Sequence, residues 1–340
     1  MSKRYNVAVV GVTGAVGEAM LTVLAERKFP VETLFPLASE RSVGKTVEFG
    51  GKTLDVLDLS TFDFTGVDIA LFSAGNAISK RYAPEAAAQG AVVIDNSSEF
   101  RYQADIPLVI PEVNPERIAD YVRHGIIANP NCSTIQMLVA LKPLHDAVGI
   151  QRINVATYQA VSGTGKEAIK ELVTQVSELL NGRPIKPHVY PHQIAFNVLP
   201  HIDEFQDNGY TREEMKMVWE THKILEDDSI LVNPTAVRVP VLYGHSEAIH
   251  VEFKAALSPA EAKRLLKKAP GIIVVDDPTK KKYPTALTHA SGQDAVYVGR
   301  IRQDISHSFG LNMWVVADNI RKGAATNAVQ IAELLCRDYL

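Results

Sequence analysis

The sequence predicts an α/β chain of two domains, a doubly wound domain with a parallel sheet followed by an α+β domain with a mainly antiparallel sheet. Three observations carry this. Continuous apolar runs alternate with helical stretches through the first 130 residues, and a glycine turn separates the first run from the first helix. Beyond a helix at about 135–147, the pattern changes to polar–apolar alternation, the period of a strand with one wet face. A length of 340 residues also suits two hydrophobic cores better than one.

Taken in order, Tyr5–Val10 reads as a strand rich in β-branched residues, and Val16, Ala19, Met20, Val23 and Leu24 place apolar side chains at helical spacing behind it. Asp68–Phe72, Ala91–Ile94 and Ile126–Ala128 are further strands, with a helix from Ile78 to Ala88 between two of them. In the second half Glu247–Lys254 alternates, and Ala236–Leu242, Ala295–Ile301 and Phe309–Val316 are its expected sheet partners. Thr211–Glu214 and Ser258–Glu261 have the hydroxyl-x-x-carboxylate form of a helix capping box. The last helix, about Asn319–Arg337, sets Ala324, Ala328, Ile331, Ala332 and Leu335 on one face and should dock on a core.

Composition narrows the function. Apolar content of 46% with 22% charged residues is that of an ordinary globular chain, and no apolar run approaches membrane length. A net charge of −4 supplies no basic field for nucleic acid. The apolar stretch after Lys3-Arg4 is too short for a signal peptide, so the expected location is the cytoplasm. There the two cysteines, Cys132 and Cys336, stay reduced and need separate explanations. No cluster of His, Cys and carboxylates has metal-site spacing.

Gly11-Val12-Thr13-Gly14-Ala15-Val16-Gly17 follows a strand and opens a helix, so the backbone N–H groups of Thr13 to Val16 can face a pyrophosphate at the positive helix end. That context makes the first domain a Rossmann-like dinucleotide binder. About twenty residues on, Ser39-Glu40-Arg41-Ser42 stands where such a domain chooses its ribose. Glu40 would suit a free 2′-hydroxyl. Arg41 between Ser39 and Ser42 supplies donors for a 2′-phosphate, which favours NADP.

Cys132 lies after the apolar run ending at Ala128 and before an amphipathic helix for which Ser133 or Thr134 is the expected cap. A thiol there feels the helix N-terminus, which favours the nucleophilic thiolate. Two companions stand out. Gln159 ends a strand that runs into the glycine-rich turn Ser162-Gly163-Thr164-Gly165 and could orient a tetrahedral adduct. His245, in Gly244-His245-Ser246, sits at a strand edge and suits acid–base work. Cys336, near the last helix's end, reads as a packing residue.

The segments GVTGAVG, SSEFR, NPNCST, YQAVSGTG, ETHK, VRVP, GHSE and ADNIRKGAATNA occur in that order across nearly the whole chain. In this the sequence resembles the aspartate-semialdehyde dehydrogenases, relatives of the phosphorylating glyceraldehyde-3-phosphate-type dehydrogenases. The resemblance implies that a thiolate attacks an aldehyde, hydride passes to NADP, and inorganic phosphate cleaves the thioester to an acyl phosphate. Biosynthesis of lysine, threonine and methionine runs the reverse way. It makes Cys132 the nucleophile, His245 the acid–base group and Gln159 the orienting amide. Arg238 becomes the partner of the substrate carboxylate, a task that suits a guanidinium fork, and Glu220 the partner of its ammonium. Lys223, Arg101 and Asn131 become phosphate contacts. Ser162, Gly163 and Asn319 join the glycine turn at the cofactor. The implied organisation is an NADP-binding domain of residues 1–130 with 319–340, a catalytic and dimerisation domain of residues 131–318, and a homodimer. An N-acetyl-glutamyl-phosphate reductase and a non-catalytic NADP-binding paralogue are the alternative readings.

Overall fold

The computed structural model describes residues 3–340. Its elements are β1 (Tyr5–Val10), α1 (Ala15–Glu26), β2 (Val31–Ala38), β3 (Thr46–Phe49), β4 (Lys52–Asp55), β5 (Leu57–Asp58), β6 (Ile69–Phe72), α2 (Asn76–Ala88), β7 (Val92–Asp95) and β8 (Ile126–Ala128). After these come α3 (Cys132–Val148), β9 (Ile150–Gln159), α4 (Lys166–Leu180), α5 (Arg212–Leu225), β10 (Leu231–Arg238), β11 (His245–Phe253) and α6 (Pro259–Lys268). The chain finishes with β12 (Ile272–Val274), β13 (Val296–Gln303), β14 (Gly310–Ala317) and α7 (Thr326–Asp338). No helix among the described residues is long and apolar enough to cross a membrane.

Two compact units result, one ending at Asn131 and regaining the chain at Ala324, the other Cys132–Gly323. The return therefore falls at Ala324 rather than Asn319. In the first unit all pairings of the sheet β5-β2-β1-β6-β7-β8 are parallel. The strand order reverses at β1, so the glycine turn stands at the switch point where ligands of open α/β sheets bind. Val7, Val9, Leu71, Ile94 and Ile127 form the core, with Ala328, Val329, Ile331 and Leu335 of α7 packed into it. The helix begins later than its apolar stripe suggests, because Arg321–Ala325 form a single π-helical turn first.

The second unit is built on the sheet β10-β9-β11-β14-β13-β12. It is mixed: β10 and β9 run parallel, as do β12 and β13, and the three central pairings are antiparallel. The expected strand 236–242 is shifted back to Leu231–Arg238 and stops short of Pro240. Along β11, His245, Glu247, Ile249, Val251 and Phe253 are buried while Ala248, His250 and Glu252 are half-exposed. The buried face carries α3, a helix whose residues Ser133 to Leu141 are all buried and which therefore runs through the core.

Helix α5 has the full capping box expected at Thr211 and Glu214. At α6 only half of one forms. Ser258 accepts from the Glu261 N–H, and the Glu261 carboxylate pairs with Arg264 instead of turning back.

Candidate active site

In the first unit Gly11 has φ +84°, and a Cβ there would stand 2.4 Å from the Ser73 carbonyl oxygen. Only glycine lets the turn close against β6. The N-cap of α1, Gly14, offers no side-chain cap, so the first N–H groups of the helix, at Ala15 and Val16, are left without a side-chain acceptor at its positive end. A cavity of about 430 Å³ opens there, lined by Gly11, Thr13, Gly14, Ser39, Glu40 and Arg41 among others. Ser42 turns inward, with its hydroxyl 3.4 Å from that of Thr13. A helix N-terminus without a side-chain cap, a glycine turn and an arginine beside serines fit a dinucleotide carrying a 2′-phosphate.

Two further expected residues belong to this unit. Arg101 is buried and donates to the Asn96 carbonyl at 2.8 Å. Asn131 is buried at the end of a segment held through Asn129, which meets Asn96 at 3.0 Å and Asn327 at 2.7 Å. Cys336 is half-buried, and burial pushes its thiol up to about 11, which removes it from thiolate chemistry at neutral pH.

In the second unit strand register assembles the site. Arg238 on β10 pairs with Gln159 on β9. His245 on β11 falls opposite Gln159 on one side and pairs with Ala317 on the other. Arg238, Gln159 and His245 therefore form one row across the sheet, all on the face covered by α3. Because α3 turns into β9 through Gly149 alone and packs on it, helix and strand are antiparallel. The Cys132 end of α3 consequently lies over the Gln159 and His245 end of the sheet. Cys132 is itself the first residue of α3, so Ser133 and Thr134 sit within its first turn rather than before it.

Hydrogen bonds decide what this row can do. The Ala160 N–H donates to Nδ1 of His245 at 3.0 Å, which leaves the ring proton on Nε2. Burial first, and Arg238 second, push the ring down to about 3, so it is neutral. Thr157 donates to Oε1 of Gln159 at 3.0 Å and Nε2 of Gln159 donates to Glu213 at 3.0 Å. Nε2 of Gln159 and Nε2 of His245 then stand 3.4 Å apart, two N–H donors that cannot bond each other and converge on a common acceptor position.

Arg238 is buried, donates to the Ala160 carbonyl at 2.6 Å, and leaves Nε without a partner. Gly163 lies against both groups: a Cβ there would meet Nη1 of Arg238 at 3.1 Å and Cε1 of His245 at 3.3 Å. Ser162 and Asn319 exchange two side-chain bonds, at 3.1 and 3.0 Å, and Oδ1 of Asn319 accepts from the Gly244 N–H at 2.9 Å. The turn carrying Gly163 and the start of β11 are thereby tied together.

Three residues of the site escaped sequence reasoning. Glu213 and Lys216 form a buried pair at 2.8 Å that Asp203 extends at 2.7 Å. Burial alone would lower the Lys216 ammonium, but Glu213 and Asp203 outweigh it and raise its pKa. Glu220 and Lys223 have the same i, i+3 spacing seven residues further along α5. Two helical turns, about 10.5 Å, separate the pairs, and it is Glu213 that bonds Gln159. Gly323 is the third: a Cβ there would lie 2.7 Å from Cβ of Cys132, so the π-helical turn can close on the thiol only without a side chain.

The chain matches the models of a described family in both units. Residues 6–121 match the semialdehyde dehydrogenase NAD binding domain and residues 141–322 the semialdehyde dehydrogenase dimerisation domain. The chain belongs to the semialdehyde dehydrogenase family. Among its curated relatives, aspartate-semialdehyde dehydrogenase of Legionella pneumophila is 69% identical over 340 residues, covering 100% of this chain and 98% of the relative. A crystal structure of aspartate semialdehyde dehydrogenase II from Vibrio cholerae complexed with ASA superposes with TM-score 0.98 at 61% identity, with 100% of both chains covered. A second, aspartate semialdehyde dehydrogenase with NADP from Candida albicans, gives TM-score 0.75 at 26% identity, with 98% of both chains covered. The semialdehyde dehydrogenase fold thus spans the whole chain, both units included.

Proposed function

We propose that the chain is an aspartate-semialdehyde dehydrogenase that interconverts L-aspartate 4-semialdehyde and L-aspartyl 4-phosphate with NADP and inorganic phosphate. The observation that carries the mechanism is the convergence of the Gln159 and His245 N–H groups at the sheet end over which Cys132 opens α3. Attack by the Cys132 thiolate forms a C–S bond and moves an electron pair onto the aldehyde oxygen. Two fixed donors hold that oxyanion, an interaction worth several kcal/mol in a water-excluded site, of order 3 per donor. When bound, NADP supplies the hydride acceptor. As hydride departs, the oxygen pair re-forms the carbonyl and leaves an acyl thioester on Cys132. A phosphate oxygen attacks the thioester and the thiolate leaves. No step requires His245 to become an imidazolium, which suits a ring held neutral.

Arg238, with its unpartnered buried donor, is the candidate for the substrate carboxylate, and Glu220, fully buried on α5, keeps the ammonium role that the resemblance gives it, while Glu213 fixes the Gln159 amide. Lys223, Arg101 and Asn131 keep the phosphate roles the resemblance gives them, and Lys216 stays with Glu213 and Asp203. An N-acetylated substrate would bring Glu220 no ammonium, costing about 1–3 kcal/mol, so the free amine is favoured. The half-exposed sheet face with Asn154, Tyr158, His250 and Trp314 supports a homodimer through the second unit. The free thiols suit the cytoplasm.

The test is NADPH formation from aspartate semialdehyde with and without phosphate, repeated with NAD and with N-acetylglutamate semialdehyde. Cys132→Ser is expected to abolish phosphate-dependent turnover while NADP still binds. Unchanged turnover in that variant refutes the mechanism, and preference for the acetylated aldehyde refutes the substrate.

A further inference from the structure

Glu247 is fully buried, two residues beyond His245 on β11 and on the same face. Gln136, also buried, is one turn beyond Cys132 on α3. Two strand positions advance about 6.7 Å and four helical positions about 6 Å, so the two steps keep pace. The carboxyl and the amide meet: Gln136 is the one side chain that acts on the Glu247 carboxyl, and it draws its pKa down in part. Even so, both carboxyl oxygens and both amide atoms of Gln136 lack a well-formed hydrogen bond. The Gln136–Glu247 contact thus lies one level beneath the Cys132 and His245 level, where α3 crosses β11.

Groups packed on Glu247 present no charge to it. Its strand partners are Thr157 on β9 and Val315 on β14. The facing stripe of α3 is Cys132, Gln136 and Ala140, at i, i+4 and i+8. His245, the nearest titratable group on its own strand, is the neutral ring described above. We propose that Glu247 is a positioning residue for the reaction, an uncharged acid that with Gln136 forms a buried polar layer setting the spacing of α3 on β11, and so the approach of Cys132 to His245. The proposal rests on the reading of Cys132 as nucleophile.

The chemistry of the pair favours the acid form. A carboxylic acid can donate its O–H to Oε1 of Gln136 and accept from Nε2, whereas a carboxylate would face the Gln136 carbonyl with no proton between them. Burial without a cation independently pushes the Glu247 carboxyl well above its ordinary range. Charging it on the native state is therefore disfavoured, and Thr157, its neighbour on β9, carries the effect sideways because it also holds Gln159.

Glu247→Gln keeps shape and a neutral polar head; Glu247→Leu keeps approximate volume and removes the polar layer. Three readouts apply: kcat and KM for phosphate-dependent NADPH formation, the rate of Cys132 alkylation by iodoacetamide, and Tm from pH 5 to 9. For Glu247→Leu we expect kcat and alkylation rate to fall about tenfold with KM within a factor of about two, since misplacement of a reacting group costs rate more than binding. Glu247→Gln is expected to restore both rates to within about threefold, and the Tm of wild type relative to Glu247→Gln should decline steadily as pH rises above about 4.5, where the unfolded glutamate ionises and the buried one does not. Wild-type rates in a folded Glu247→Leu overturn the positioning role. Glu247→Gln as slow as Glu247→Leu, or a Tm difference that does not move with pH, overturns the uncharged acid. Alkylation and Tm read the proposal without substrate, so failure of the aspartate-semialdehyde assignment shows separately, as absent turnover in wild type.

Discussion

The Ala160 N–H donates to Nδ1 of His245 at 3.0 Å where the ring has no solvent exposure at all. A second proton on Nδ1 would collide with that N–H, so the geometry and the burial both oppose the imidazolium. The unfolded ring titrates near 6.5 and the native one near 3. Between those values the unfolded chain binds the extra proton, so this contribution to stability is complete above about 6.5 and drains away as pH falls toward 3, at up to about 1.4 kcal/mol per pH unit. Wild-type Tm should therefore drop more steeply between pH 6.5 and 4.5 than that of His245→Gln. Nitrogen-15 spectra should report one neutral Nε2–H tautomer across pH 5–8, and an imidazolium signature in that range would overturn the assignment.

Glu213 accepts from Gln159 at 3.0 Å and pairs with Lys216 at 2.8 Å. Replacing Glu213 by Gln loosens the Gln159 amide and should lower kcat about tenfold with KM for the semialdehyde within about threefold, since misplacing a reacting group costs rate more than binding. Glu220→Gln removes the proposed ammonium partner and should raise KM for the semialdehyde, with kcat/KM reduced about ten- to a hundredfold, the range of a charge-assisted bond. An unchanged KM at Glu220→Gln in a folded variant would take the ammonium role away from Glu220.

That pair shows where sequence reading runs out. Apolar periodicity located β1, β6, β7, β8 and β11 within a residue or two, because burial on one or both faces leaves a direct trace in the sequence. The sequence motifs single out Glu220/Lys223 and pass over Glu213/Lys216, although both are Glu-x-x-Lys on α5, because only the packing of that helix on the sheet brings Glu213 to the Gln159 amide. Thr211 and Glu214 announced the helix start that places Glu213 in the first turn, yet a capping box says nothing about a neighbour's partner. Gly323 and Glu247 were legible only as members of motifs. Their roles depend on a close approach to Cys132 and on a strand–helix crossing, and both are contacts between segments far apart in sequence. The second sheet's parallel pairings were equally silent, since alternation reports a wet face and not a strand direction.

Arg41 lines the cavity at the glycine turn together with Ser39 and Glu40. Its guanidinium can meet a 2′-phosphate, while Glu40 can meet only a hydroxyl. Arg41→Ala should therefore raise KM for NADP about tenfold or more, the value of one charge-assisted contact, and leave KM for NAD within about twofold. Equal losses with both cofactors would move the 2′-phosphate contact elsewhere.

Gly163 is hemmed in by the two side chains that define the row. The Ala160 carbonyl accepts from Arg238 at 2.6 Å and from the Gly163 N–H at 3.2 Å, while the Ala160 N–H holds His245 at 3.0 Å. Neither neighbour can withdraw freely from a Cβ at Gly163, which would come within 3.1 Å of Nη1 of Arg238 and 3.4 Å of Nε2 of His245. A shift of a few tenths of an ångström would move the carboxylate anchor and one oxyanion donor together. Gly163→Ala should accordingly cut kcat/KM by about ten- to a hundredfold while Tm stays within a few degrees, because the strain falls on side-chain positions rather than on the core. Steady-state kinetics beside a thermal melt decide it: near-wild-type kcat/KM would mean that Arg238 and His245 have more freedom than their shared anchor at Ala160 allows.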